Sequence, residues 1–137
     1  MLKTTEHKEQ CTVVQYCEAK KILVYAVPNG TNIPSYKGRA KAKAEGLRSG
    51  VCDLCIPEPR NGLHGLYIEM KKPKGTKPAS VTEDQKKWIA ALNYRGYSAV
   101  VCYGANEAIN TIDKYLGKDI SAYEKWCSEL SEVFDRE

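Results

Sequence analysis

At 137 residues, with 42% hydrophobic and 28% charged side chains, the chain is sized for one domain with a true core and is too polar for an integral membrane protein. No apolar run approaches the length of a membrane span, and Met1–His7 lack the apolar stretch of a secretion signal, so an intracellular protein with no membrane partner is expected. The net charge of +4 conceals an asymmetry: residues 118–137 hold six acidic and three basic side chains, which leaves 18 basic and 11 acidic in the first 117. A basic body with an acidic tail points to a polyanionic partner, most often nucleic acid.

Residues 5–20 read as a first helix, with Thr4 or Thr5 as N-cap. Val13, Val14 and Cys17 fall on one side of it; Glu6 and Gln10 share that side and Glu9 lies at its flank. Ile22-Leu23-Val24-Tyr25-Ala26-Val27 is continuous enough in its apolar character for a buried strand, ended by the turn Pro28-Asn29-Gly30. Tyr36 to Glu45 reads as a basic, alanine-rich helix stopped by Gly46. Lys37, Arg39, Lys41, Lys43 and, past the stop, Arg48 meet only Glu45 as a nearby acid. They form either a solvated helix face or a surface that tracks phosphates, and the basic body favours the second.

Two short strands follow, Gly50-Val51-Cys52-Asp53 and Leu66-Tyr67-Ile68-Glu69-Met70-Lys71, joined by the turn-rich segment Pro57 to Gly65 as a hairpin. Alternation along the second puts Leu66, Ile68 and Met70 on one face and Tyr67, Glu69 and Lys71 on the other. Pairing of the strands would bring Asp53 beside Glu69. Two carboxylates on rigid strands suit a hard cation such as magnesium or manganese, and a neighbouring lysine can orient water or neutralise charge developing on a phosphate. Cys52 and Cys55 have the spacing of half a zinc site, but no second pair follows. The six cysteines are therefore expected to be mostly free and to behave as small hydrophobes.

After the hairpin, Lys71 to Pro78 is a basic loop carrying Lys72, Lys74 and Lys77. Ser80 with Glu83 and Thr82 with Gln85 both have capping-box spacing at the start of a helix. On that helix Gln85, Trp88, Ile89 and Leu92 share a face, so Gln85 is either the box partner of Thr82 or a group turned toward the sheet. Tyr97–Tyr103 is a further strand, Ile109, Ile112 and Leu116 mark the next helix, and Trp126, Leu130, Val133 and Phe134 mark a last, acidic one. The natural packing is α/β, a small mixed central sheet flanked by helices, with an extra C-terminal helix at about residues 118–137.

This order resembles the PD-(D/E)XK nuclease superfamily, a restriction-endonuclease-like core. Within it the chain is most similar to the VRR-NUC group, the virus-type replication-repair nucleases, and to their small stand-alone phage members. The likeness rests on Glu6-His7-Lys8-Glu9-Gln10, Pro28-Asn29-Gly30, Ala44-Glu45-Gly46, Gly50-Val51-Cys52-Asp53, Glu69-Met70-Lys71-Lys72-Pro73-Lys74-Gly75, Gln85 and Gly96-Tyr97, and covers about residues 5–116. One departure is Cys52, where many members have proline. The resemblance implies a magnesium- or manganese-dependent phosphodiesterase acting on DNA. Asp53, Glu69 and the Met70 carbonyl would hold the metal, with Glu6 completing or supporting the site and Glu9 its rival for that role. Lys71 would position or activate water, and Gln85 would hold the water or Lys71. It further implies a homodimer acting on branched DNA such as four-way junctions, in the cytoplasm of a bacterial host if the chain is phage-encoded. A binding module without catalysis, or a nuclease for flaps, splayed arms or RNA, is the alternative.

Overall fold

The computed structural model describes residues 3–28, 33–117 and 129. Among the described residues the elements follow in the order α1 (Glu6–Ala19), β1 (Tyr25–Ala26), α2 (Tyr36–Ala44), β2 (Leu54–Ile56), β3 (Leu66–Lys71), α3 (Glu83–Tyr94), β4 (Ser98–Tyr103) and α4 (Ala105–Leu116). The sheet order is β1-β2-β3-β4. β1, β2 and β3 pair antiparallel, while β4 runs parallel to β3. A parallel pair needs a crossover, and α3 supplies it. The expected mixed sheet with helices on both faces is the architecture found.

The side-chain alternation of β2 and β3 sorts the interior into two layers. Leu54, Ile56, Leu66, Ile68 and Met70 pack with Val13 and Cys17 of α1 and with Ala105, Ala108, Ile112 and Leu116 of α4. On the other side of the sheet Cys52, Leu92 and Ala99 form a smaller cluster under α3, joined by Tyr67, Trp88, Ile89 and Tyr97. α2 buries none of its residues.

Two strands differ from expectation. The apolar run from Ile22 to Val27 yields only the two-residue β1, both of whose residues are exposed. It is the edge of the sheet, so only Ile22 and Val24 turn inward onto the larger cluster, while Leu23 and Tyr25 face outward. The strand expected at Gly50–Asp53 begins instead at Leu54, with Asp53 in a bend just before it. Cys52, expected within that strand, lies before it and is buried in the α3-side cluster. The cysteines described, Cys11, Cys17, Cys52, Cys55 and Cys102, are free. The expected C-terminal helix and its apolar residues Trp126, Leu130, Val133 and Phe134, like Asn29 and Gly30 of the expected turn, lie outside the described residues.

Candidate active site

β3 turns Glu69 and Lys71 toward α3, where they are almost wholly enclosed, at 2% and 3% exposure. A buried carboxylate and ammonium are costly unless their hydrogen-bonding capacity is met. Part of it is met by one side chain. Gln85 Nε2 donates to Glu69 Oε1 at 2.6 Å, and Lys71 Nζ donates to Gln85 Oε1 at 3.1 Å. Lys71 Nζ also lies 3.8 Å from Glu69 Oε1. The second carboxylate oxygen, Glu69 Oε2, is buried without a partner.

Gln85 can do this because the start of α3 holds it. Thr82 is the N-cap, and the two residues form a full capping box: Gln85 N donates to Thr82 Oγ1 at 3.1 Å and Thr82 N donates to Gln85 Oε1 at 2.9 Å. With two donors converging on Oε1, the amide nitrogen is left to face Glu69. The capping role and the site role, alternatives in the sequence, coexist in one amide. Thr82 is thus a supporting residue of the site. Its spacing to Gln85 is visible in the sequence; that the box sits over Lys71 is not.

Asp53 reaches the same place from the other strand. The register that pairs Leu54 with Ile68 sets Asp53 opposite Glu69. Its Oδ2 accepts from Met70 N at 2.8 Å, and its own carbonyl accepts from Val27 N at 2.8 Å. The bend is possible because of Gly50. At φ +88°, a Cβ there would stand 2.5 Å from the Asp84 carbonyl carbon. That close approach lets the segment leading to Asp53 lie against the first turn of α3, near Gln85.

The two carboxylates perturb one another. Glu69 is pushed up to about 8, chiefly by burial, then by the charge of Asp53, with Lys71 opposing and Glu6 adding to the rise. Asp53 is also raised by burial, against the lowering effect of the Met70 N–H, Glu69 and Lys71. The Cys52 thiol, buried beside both, is pushed up to about 12 by burial and then by their charges.

The first helix divides its acids. Glu9 is committed to α4: its Oε1 accepts from Ala105 N at 3.4 Å and its Oε2 from Thr4 Oγ1 at 3.3 Å. Gly104, at φ +91° and with its amide donating to the Lys71 carbonyl at 2.8 Å, leaves room for Glu9 and Pro73 that a side chain would fill. Glu6 acts on Glu69 through its charge. Among the described residues, no three His, Cys, Asp or Glu side chains are grouped to hold a metal ion.

The oxygens that could hold a cation here are those of Asp53 and Glu69 with the backbone carbonyl of Met70, whose side chain is in the core. These donors fit magnesium or manganese, which take one or two carboxylates and complete their shell with water or substrate oxygens. The unpartnered Glu69 Oε2 and the raised affinity of the pair for a proton both mark a place where positive charge is wanted.

The residues expected to meet DNA fall in α2, just past it, and in the loop that follows Lys71. On α2, Lys37, Arg39, Lys41 and Lys43 are exposed, as is Arg48 beyond it. Arg39 folds back onto the carbonyls of Ile33 and Pro34, Arg48 onto those of Lys43 and Leu47, and Lys41 sits 3.9 Å from Glu45. In the loop after β3, Thr76 closes a turn onto the Pro73 carbonyl and Lys74 Nζ lies 5.3 Å from the centre of the Tyr103 ring. Lys72 is half-buried and Lys77 exposed.

The sequence profile of the VRR-NUC domain matches residues 1–106. Among solved structures, one described as a "VRR_NUC domain protein" superposes with a TM-score of 0.70 at 30% identity, covering 84% of this chain and 90% of that one. No curated protein matches. No helix among the described residues is long and apolar enough to cross a membrane.

Proposed function

The chain belongs to the VRR-NUC domain family, which is nuclease-like, and on that premise we propose that it is a magnesium- or manganese-dependent endonuclease hydrolysing phosphodiester bonds in DNA. The observation that carries this reading is the enclosed Glu69, with one oxygen held by Gln85 and the other unpartnered, between Asp53 and Lys71. Asp53, Glu69 and the Met70 carbonyl would hold the metal, which when bound supplies Lewis-acid stabilisation of the charge developing on the phosphoryl oxygens. Lys71, kept in place through Gln85 Oε1, presents its ammonium to the reacting phosphate and orders the attacking water. Gln85 couples the two strand residues, so that Lys71 cannot shift without disturbing Glu69. Glu6 contributes negative charge from α1.

In this reading the exposed cations of α2, with Arg48, Lys72, Lys74 and Lys77, contact phosphates. A compact domain with one such site suits a branched substrate best as a homodimer, because a four-way junction has two equivalent strands to cut. The test is cleavage of duplex, flap, splayed-arm and four-way junction DNA by the purified protein in magnesium, manganese or EDTA. We expect cutting in either metal, none in EDTA, and loss of both metal affinity and cutting in Asp53→Asn. Full activity in EDTA overturns the reading. Replacing Arg39, Lys41 and Lys43 with alanine should flatten the slope of log affinity against log salt by about 2–3, since each phosphate neutralised adds about 0.9 to that slope.

A further inference from the structure

Past Gln85, α3 turns a second feature to solvent. A groove of about 330 Å3 runs along the helix, lined by Lys87, Trp88, Ala91, Leu92 and Arg95. Its floor is apolar: Trp88 and Leu92 rest on the cluster of Cys52 and Ala99 beneath. Its flanks are cationic. Lys87 and Arg95 are both exposed and stand roughly 12 Å apart along the helix axis. Lys87 has no ion pair among the described residues, and Arg95 reaches only the Ala91 carbonyl of its own helix, at 3.2 Å. Tyr94, 88% exposed, stands one turn from Ala91 on the same helix. Trp88 follows Gln85 by one turn of α3, and the groove runs from Trp88 toward the C-terminal end of that helix.

We propose that this groove holds unpaired nucleotides of the nucleic-acid substrate, a base lying against Trp88 and the flanking phosphates on Lys87 and Arg95. The proposal rests on the nuclease reading above and names the substrate feature it would select, a single-stranded stretch next to the cut. An aromatic ring between two cations suits a single strand, because its bases are free to stack while its backbone stays charged. A duplex offers phosphates but no open base face. An apolar peptide would match the floor and leave both cations unused.

The test is made in EDTA, where nothing is cut. The chain has two tryptophans, so Trp126→Phe leaves Trp88 as the one tryptophan fluorophore. Oligothymidylate should quench it, and a blunt duplex of equal length should not. Ala91→Glu, which sets a carboxylate in the groove, and the exposed pair Lys87→Ala/Arg95→Ala should each weaken oligothymidylate binding about tenfold or more, with duplex affinity within about twofold of the parent. The double variant changes only exposed side chains and keeps the test valid if Ala91→Glu does not fold. Absence of oligothymidylate binding, binding without quenching, or unchanged affinity in the double variant overturns the proposal. So does a groove substitution whose chief effect is on the sedimentation of the free protein, which would make this face a protein contact. Cleavage of duplex and junction DNA in magnesium, read separately, judges the nuclease reading whatever the groove does.

Discussion

On the α1–α4 side of β3, Ile68 is fully buried among Val13, Ile112 and other apolar neighbours; one residue along, on the α3 side, Glu69 is buried almost as completely. Equal burial has opposite meaning on the two faces. Each methylene of Ile68 gains free energy by leaving water, whereas the Glu69 carboxylate and Lys71 ammonium lose hydration that Gln85, Asp53 and their mutual attraction only partly replace. The unpartnered Glu69 Oε2 is the visible residue of that imbalance. One strand thus carries a face that holds the fold together and a face the fold must work to keep in place, separated by the two-residue alternation of the backbone. Arrangements that break the local rules of stability in this way concentrate at functional sites.

The largest expected effect comes from crossing the two faces with one substitution on each. Lys71→Ala should lower cleavage by a factor on the order of 10^3 while leaving DNA binding largely intact, measured as single-turnover rates beside equilibrium binding. Ile68→Ala should do the reverse. We expect a loss of about 2–5 kcal/mol in unfolding free energy, seen by urea denaturation, with the rate per folded molecule within a few-fold of the parent. A stable but inactive Ile68→Ala protein, or an active Lys71→Ala protein, would break the division.

The apolar face was legible because it follows from alternation alone: Leu66, Ile68 and Met70 are all fully buried. The limits of α1, the crossover helix and the Thr82–Gln85 spacing were readable for similar reasons, since each depends on residues within a turn or two of one another. What escaped the sequence depends on distant partners. Six apolar residues from Ile22 to Val27 look alike whether their strand is central or at the edge, and only the pairing partners decide. The placement of Asp53 turns on Gly50 approaching Asp84, 34 positions on. The partner that Glu9 takes is more distant still, since Ala105 lies 96 residues further along the chain.

A sharper test of the polar face uses protons. Burial and the charge of Asp53 push Glu69 up to about 8 in the folded protein, against an ordinary 4.5. Between those values the folded protein keeps a proton that the unfolded chain releases, so its stability is fullest below the window and falls as pH rises through it. Melting temperatures in EDTA should decline across this range, and Glu69→Gln should flatten the decline. Magnesium should raise the melting temperature most at the alkaline end, where it no longer competes with the proton. A metal-free protein whose melting is equally pH-dependent with and without Glu69 would mean that its carboxylate does not bear the cost assigned to it.

The smallest effect is expected at Thr82, and it asks how far stability and function share one bond. Thr82→Ala removes the hydroxyl that accepts from Gln85 N, a helix cap worth about 1 kcal/mol. It leaves the Thr82 amide, which still donates to Gln85 Oε1. If the cap only ends the helix, melting falls slightly and turnover is unchanged. If it also fixes the Gln85 amide over Lys71 and Glu69, the maximal rate should fall several-fold at unchanged DNA affinity. Thr82→Ser should restore both, since its hydroxyl can make the same bond. Gln85→Ala sets the scale, removing the cap partner and both hydrogen bonds to β3 together. A Thr82→Ala protein with the full rate of the parent and a lowered melting temperature would show that the capping box supports the helix and leaves the site to Gln85 alone.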